Sequence, residues 1–255
     1  MIICKSPKVI LVEIPGAKCE AIFNLFAPYV QKEWQGESVS TNQRYFRFSE
    51  SLLNRLEIDP KDYYKVVGVR NPYTRLIDIY QNYYKSPEAG VQKNFGNNLR
   101  FYLARHTGLN PFPSQEFHHM FPEGDFKSFV EFMDYILTKF RLDISRKYIG
   151  AADQYSYIEN DSWLKFEFIA SFETLKLDVA DLSQEFNLEI VDTFSSIEEQ
   201  NELEQGNLLE YYDEETLKVV NRLFVRDFVY FGYKQLSVFD LNCKKELEAL
   251  ILQTK

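Results

Sequence analysis

Residues 64–80, YKVVGVRNPYTRLIDIY, decide the fold. Tyr64–Val69 is a short apolar run bounded by turn residues, the pattern of a strand buried on both faces. Arg70-Asn71-Pro72 turns the chain. Residues 73–84 then continue with Leu76, Ile77 and Tyr80 at helical spacing. Strand, tight turn and helix form a unit that leads naturally to a parallel neighbour, because parallel strands need a crossover connection.

The same unit occurs upstream. Lys8–Ile14 (KVILVEI) suits a buried strand, Pro15-Gly16 breaks it, and residues 17–27 carry Ile22, Phe23 and Phe26 on one helical face until Pro28 ends the run. A second strand is expected at 44–48 (RYFRF), followed by a short helix over 49–56 with Ser49 as its cap. Further on, 126–140 reads as an amphipathic helix, 165–171 (KFEFIAS) as an alternating strand and 175–186 as a helix. Residues 213–229 read as one long helix, with Gly232 a natural stop. Residues 85–125 are poor in pattern and hold several Gly and Pro, the mark of a functional or mobile segment. Alternating strands and helices predict an α/β protein with a central parallel sheet flanked by helices on both faces. The length suits a single domain over 1–255, with residues 236–255 added as a helical extension that packs on a neighbour, a route to a homo-oligomer.

Composition narrows the function. There are 38 acidic residues against 29 Lys and Arg, for a formal net charge of −9. That balance excludes a general binder of nucleic acid or of an anionic membrane, each of which needs a basic face, but leaves room for one small basic pocket. The 22 Phe and 17 Tyr fit a large core, with a cleft for a flat or sugar-like ligand as the competing use. Cys4, Cys19 and Cys243 have no metal-ligand spacing, and reduced thiols in a cytoplasmic protein are the default. His118-His119 has no second ligand pair, so no metal is expected. No apolar run approaches the length of a membrane span, and no signal peptide is expected.

Ligands of parallel sheets sit at the carboxyl ends of the strands, where both turns fall. A helix N-terminus there offers N–H groups and partial positive charge to a phosphate. The first turn supplies Pro15, Gly16, Ala17, Lys18 and Cys19, with Lys18 as its full charge. The second supplies Arg70 and Arg75, fork-shaped donors suited to phosphate oxygens. Neither turn is a strict nucleotide fingerprint, since GxxxxGK[ST] and GxGxxG are both missing. Lys18 also reads as a solvated surface lysine, and Arg70 as a buried arginine paired with a carboxylate.

Residues 69–80, VRNPYTRLIDIY, resemble the VRxPxxRxxSxY segment of sulfotransferases that use phosphoadenosine phosphosulfate (PAPS), especially the carbohydrate-type branch. Ile14-Pro15-Gly16-Ala17-Lys18 stands where that family has its 5′-phosphosulfate loop. In order along the chain, residues 128–132 (SFVEF), 153–158 (DQYSYI), 168–175 (FIASFETL) and 211–233 are similar to further family segments, so the resemblance spans about 8–235. It implies a P-loop-like sulfotransferase fold and PAPS as donor substrate, with the arginine segment on the 3′-phosphate. It also implies in-line attack of an acceptor hydroxyl on sulfur, with a base for its proton and a cation for the leaving phosphate.

Lys18 is the candidate cation. His118, with His106 and His119 the other histidines, is the candidate base, and Glu33 and Glu37 are alternatives. Gly16 stands at the family's lysine position, and Ala17, Glu20 and Ala21 at its hydroxyl positions. Asp78 replaces the serine of the 3′-phosphate site. A carboxylate about 4 Å from a phosphate repels it by roughly 4 kcal/mol at an effective dielectric near 20, nearly three decades in affinity. Donor binding therefore requires Asp78 to turn away, toward Arg75 or Arg70. The expected function is sulfuryl transfer from PAPS to a hydroxyl, with carbohydrate as the suggested acceptor. The alternatives are a non-catalytic binding or scaffolding protein on this fold and a transferase using another nucleotide. The lack of an N-terminal anchor, which a Golgi carbohydrate sulfotransferase carries, suits a bacterial or phage cytoplasmic protein.

Overall fold

The computed structural model describes residues 2–14, 16–29, 57–81, 125–139, 152–158, 165–190 and 208–242. The strand expected at 44–48, the helix at 49–56, nearly all of the pattern-poor stretch and the tail beyond 242 lie outside them. The chain divides into two compact units, one of Met1–Asn71 with Tyr157–Asn201 and one of Pro72–Ser156 with Glu202–Lys255.

The first unit holds a four-stranded sheet in chain order. β1 (Ile2–Lys5) and β2 (Lys8–Glu13) form an antiparallel hairpin, with Ile3 opposite Ile10. β3 (Tyr64–Val69) runs parallel to β2, with Glu13 opposite Gly68. β4 (Phe168–Ser171) runs parallel to β3, with Val69 opposite Ser171. Three of the four strands read from the sequence thus form the parallel part of the sheet, the one at 44–48 lying outside the described residues. β1 adds an antiparallel edge that makes it mixed, and β4 is shorter than the alternation of 165–171 suggested. β3 is central and buried from Lys65 onward, as its unbroken apolar run requires.

Among its described residues this unit also has two α-helices. α1 (Glu20–Phe26) buries Ala21, Ile22, Leu25 and Phe26. A second one, over Leu175–Phe186, buries Leu175, Val179 and Leu182. They meet through Phe26, whose ring stands edge-on to Phe186 at 5.6 Å, and Tyr64 of β3 also stands edge-on to Phe186, at 5.1 Å. The Leu175–Phe186 helix closes with Asn187 left-handed at φ 52, while Leu188 N–H reaches back to the Ser183 carbonyl at 2.9 Å.

The second unit is helical among its described residues. α2 (Pro72–Ile79) starts with proline at its first position, where the missing N–H costs nothing, and all of its residues are buried. Its neighbours in this unit are α3 (Phe126–Lys139), the Leu175–Phe186 helix being counted as α4, then α5 (Leu208–Tyr211), α6 (Glu214–Leu223), α7 (Val225–Phe231) and α8 (Val238–Asn242). Tyr73 lies edge-on to Tyr212 and tilted against Phe228, at 5.4 and 5.0 Å. Tyr80 packs on Phe126 and Phe129. These aromatics therefore fill core.

The long helix expected over 213–229 is two. Asp213 and Thr216 make a reciprocal capping box at the start of α6, at 2.8 and 2.9 Å. Phe224 then leaves helical geometry (φ −109, ψ 21) and separates α6 from α7. Phe224 is fully buried, so tertiary packing outweighs the continuous helical periodicity there. Gly232, at φ 76, stops α7 as expected.

Candidate functional site

The turn after β2 is closed by Ala17 N–H donating to the Ile14 carbonyl at 3.0 Å. Gly16 takes φ 77, which glycine adopts at no steric cost, and Lys18 takes φ 52, which costs a side-chain-bearing residue about 1 kcal/mol. Lys18 is half-buried, and Ala17 and Cys19 are buried. Cys19 precedes α1 and gives it no side-chain cap. Its Sγ–H points at the Ala17 carbonyl, 3.3 Å away.

The loop lies tight against β3. A Cβ placed on Gly68 would stand 2.6 Å from both Cβ and Sγ of Cys19, closer than real atoms approach. A glycine inside a buried strand marks such an approach of another segment. Sequence reasoning passed over it, although Gly68 was the one residue without a side chain in an apolar run.

Arg70, one residue past β3, is fully buried. Its Nη1 donates to the Gly16 carbonyl at 3.3 Å, and its guanidinium lies over the Phe172 ring at 4.6 Å. The two strand-ending bends therefore meet at the carboxyl edge of adjacent parallel strands. The turn beyond Arg70 is held by Glu173, whose Oε1 accepts from Asn71 N–H at 2.7 Å and whose Oε2 accepts from Ser171 Oγ–H at 2.6 Å. Ser171 N–H in turn donates to Asp178 Oδ2 at 2.7 Å. Phe172 and Glu173 fall in a stretch whose family likeness was legible, but nothing in the sequence assigned either a task.

In the second unit Arg75 and Asp78 are both buried on α2, one turn apart. Arg75 Nη1 donates to the Ala152 carbonyl at 2.8 Å. Asp227 is fully buried; its Oδ2 accepts from Gln154 N–H and its Oδ1 from Tyr155 N–H, each at 2.8 Å. Burial pushes the Asp227 carboxyl up to about 6, against the pull of Arg75 and of these two N–H groups. Next to it, Arg226 holds Asp153 with two prongs, Nε to Oδ2 at 2.7 Å and Nη2 to Oδ1 at 3.1 Å. Asp153–Tyr155 and Arg226-Asp227, which lie in the stretches 153–158 and 211–233 singled out in the sequence, are thus the two halves of one clasp.

The structure brings together Gly16, Ala17, Lys18, Cys19 and Arg70 in the first unit and places Arg75 and Asp78 in the second. Pro15 and His118 lie outside the described residues, as do His106, His119, Glu33 and Glu37. Among the described residues no group of His, Cys, Asp and Glu is placed to hold a metal ion. Among them, too, no helix is long and apolar enough to cross a membrane.

A parallel sheet whose consecutive strand ends carry a left-handed loop and a buried arginine belongs to the α/β class that binds ligands at the carboxyl edge. Residues 1–234 match the sulfotransferase family, and the chain belongs to that family. It has the α/β sulfotransferase fold, with parallel strands flanked by helices. It is similar to carbohydrate sulfotransferase 12 of Xenopus laevis, 25% identical over 194 residues that make up 75% of this chain and 44% of the relative. The chain thus spans less than half the length of that curated relative. No solved structure gave a significant match.

Proposed function

We propose that this protein transfers a sulfuryl group from PAPS to a hydroxyl of a carbohydrate acceptor. The observation that supports it is the Arg70 contact with the Gly16 carbonyl, which joins the two bends in one polar corner. That corner fits an anionic nucleotide in its chemistry. It has a guanidinium kept rigid by an aromatic ring, a loop lysine, and a helix start without a side-chain cap from Cys19. Gly16 has no side chain where the family carries a lysine, so the loop's positive charge falls to Lys18.

In this reading the new bond joins the acceptor oxygen to sulfur, and the bond that breaks joins sulfur to the 5′-phosphate oxygen. The acceptor proton passes to a base, for which His118 is the candidate, and Lys18 meets the charge that grows on the leaving phosphate. Membership of the sulfotransferase family and the name of the Xenopus relative favour this reading, and neither favours the non-catalytic alternative. The cytoplasmic setting expected from the sequence belongs to the same proposal.

The test is a melting scan with 3′-phosphoadenosine 5′-phosphate, the product nucleotide. At about a hundred times its dissociation constant a ligand of the native state adds about 2.7 kcal/mol, a rise of several degrees. An unchanged midpoint at millimolar nucleotide would overturn donor binding and leave the scaffolding alternative in its place.

A further inference from the structure

We infer that Glu173 is a positioning residue for Arg70, setting the orientation of its guanidinium toward the 3′-phosphate; the inference rests on the donor reading proposed for this site. Three contacts from one short segment fall on Arg70 and its two chain neighbours. Ser171 stands opposite Val69, the residue before Arg70, in the β3–β4 register. Phe172 lies under the guanidinium at 4.6 Å. Glu173 accepts the Asn71 N–H at 2.7 Å. That N–H belongs to the peptide joining Arg70 to Asn71, so the carboxylate fixes the plane of that peptide and with it the direction in which the Arg70 side chain leaves the backbone.

Each Glu173 oxygen receives one donor, Asn71 N–H on Oε1 and Ser171 O–H on Oε2. Alanine at this position offers neither acceptor oxygen, so it removes this partner from both the Asn71 N–H and the Ser171 hydroxyl. The anchor is itself held, because Asp178 Oδ2 accepts from both Ser171 N–H and Thr174 Oγ–H, at 2.7 and 2.8 Å. Glu173 touches the peptide beside Arg70, so its effect is carried by geometry.

The experiment measures affinity for 3′-phosphoadenosine 5′-phosphate and for adenosine 5′-phosphate by calorimetry, on wild type, Glu173→Ala and Ser171→Ala. The two nucleotides differ only in the 3′-phosphate, so their affinity ratio reports how well that group is held, whatever happens to overall stability. Glu173→Ala is expected to lower the ratio about tenfold, one charge-assisted hydrogen bond's worth, by weakening only the ligand that bears the 3′-phosphate. Ser171→Ala removes one anchor of the carboxylate and leaves Asn71 in place. It is expected to lower the ratio by a smaller factor, and it decides the matter if Glu173→Ala does not fold. A ratio equal to wild type in the folded variants overturns the positioning role alone. Failure of wild type to bind either nucleotide overturns the donor reading itself, and the inference with it.

Discussion

At the scale of single residues, what is missing at position 68 matters as much as what is present at 70. The loop that carries Gly16 and Lys18 rests against β3 only because Gly68 has no Cβ there. Gly68→Ala is expected to cost about 1–3 kcal/mol through overpacking and to displace the loop, weakening nucleotide binding. The clash is with Cβ of Cys19 as well as its sulfur, so Cys19→Ala should not relieve it, whereas Cys19→Gly should. A melting curve of Gly68→Ala that overlays wild type would show that the loop does not need this contact. Cys19 was legible as a loop residue, but its contact with Gly68 was not, because one-dimensional spacing carries no record of which segment a strand glycine faces.

At the scale of elements, the clasp between Asp153–Tyr155 and the start of α7 makes one contribution of definite sign to the second unit's response to pH. Asp227 has a folded-state value near 6 against an ordinary 3.8. In that window the folded state binds more protons than the unfolded one, so the group's contribution to stability falls as pH rises from about 4 through 6 and is flat above. Asp227→Asn does not titrate and leaves one of the two backbone N–H groups facing an NH₂, so it is expected to be less stable than wild type throughout. The wild type's margin over it should shrink by roughly 2–3 kcal/mol between pH 4 and pH 7. Denaturant melts of the two proteins across that range check the sign. A margin that grows with pH would mean that Arg75 and the N–H groups outweigh burial.

At the scale of the whole molecule, a net charge of −9 acts on whatever approaches it. A heavily sulfated acceptor would meet a repulsive field, so sulfation assays are expected to favour neutral or weakly charged saccharides over polyanionic ones. That preference should narrow as added salt screens the field. A higher rate on the polyanion at low ionic strength would overturn this expectation. Charge is an additive property and is fully readable from composition, which is why this prediction needs no coordinates.

The sequence by itself determined the strand–turn–helix units, the parallel core of β2, β3 and β4, and the family. Each depends on local periodicity and on short segments contiguous in the chain. It also named Gly16, Lys18 and Arg70 as neighbours of the ligand edge, since strand ends are local features. Only the tertiary structure decided that Arg70 reaches the Gly16 carbonyl and that Glu173 holds the peptide beside it. The antiparallel edge strand β1 and the break at Phe224 were decided there too. These rest on side chains and backbone groups that meet across long sequence separations. Burial sets the strength of such contacts, and no pattern along the chain encodes it.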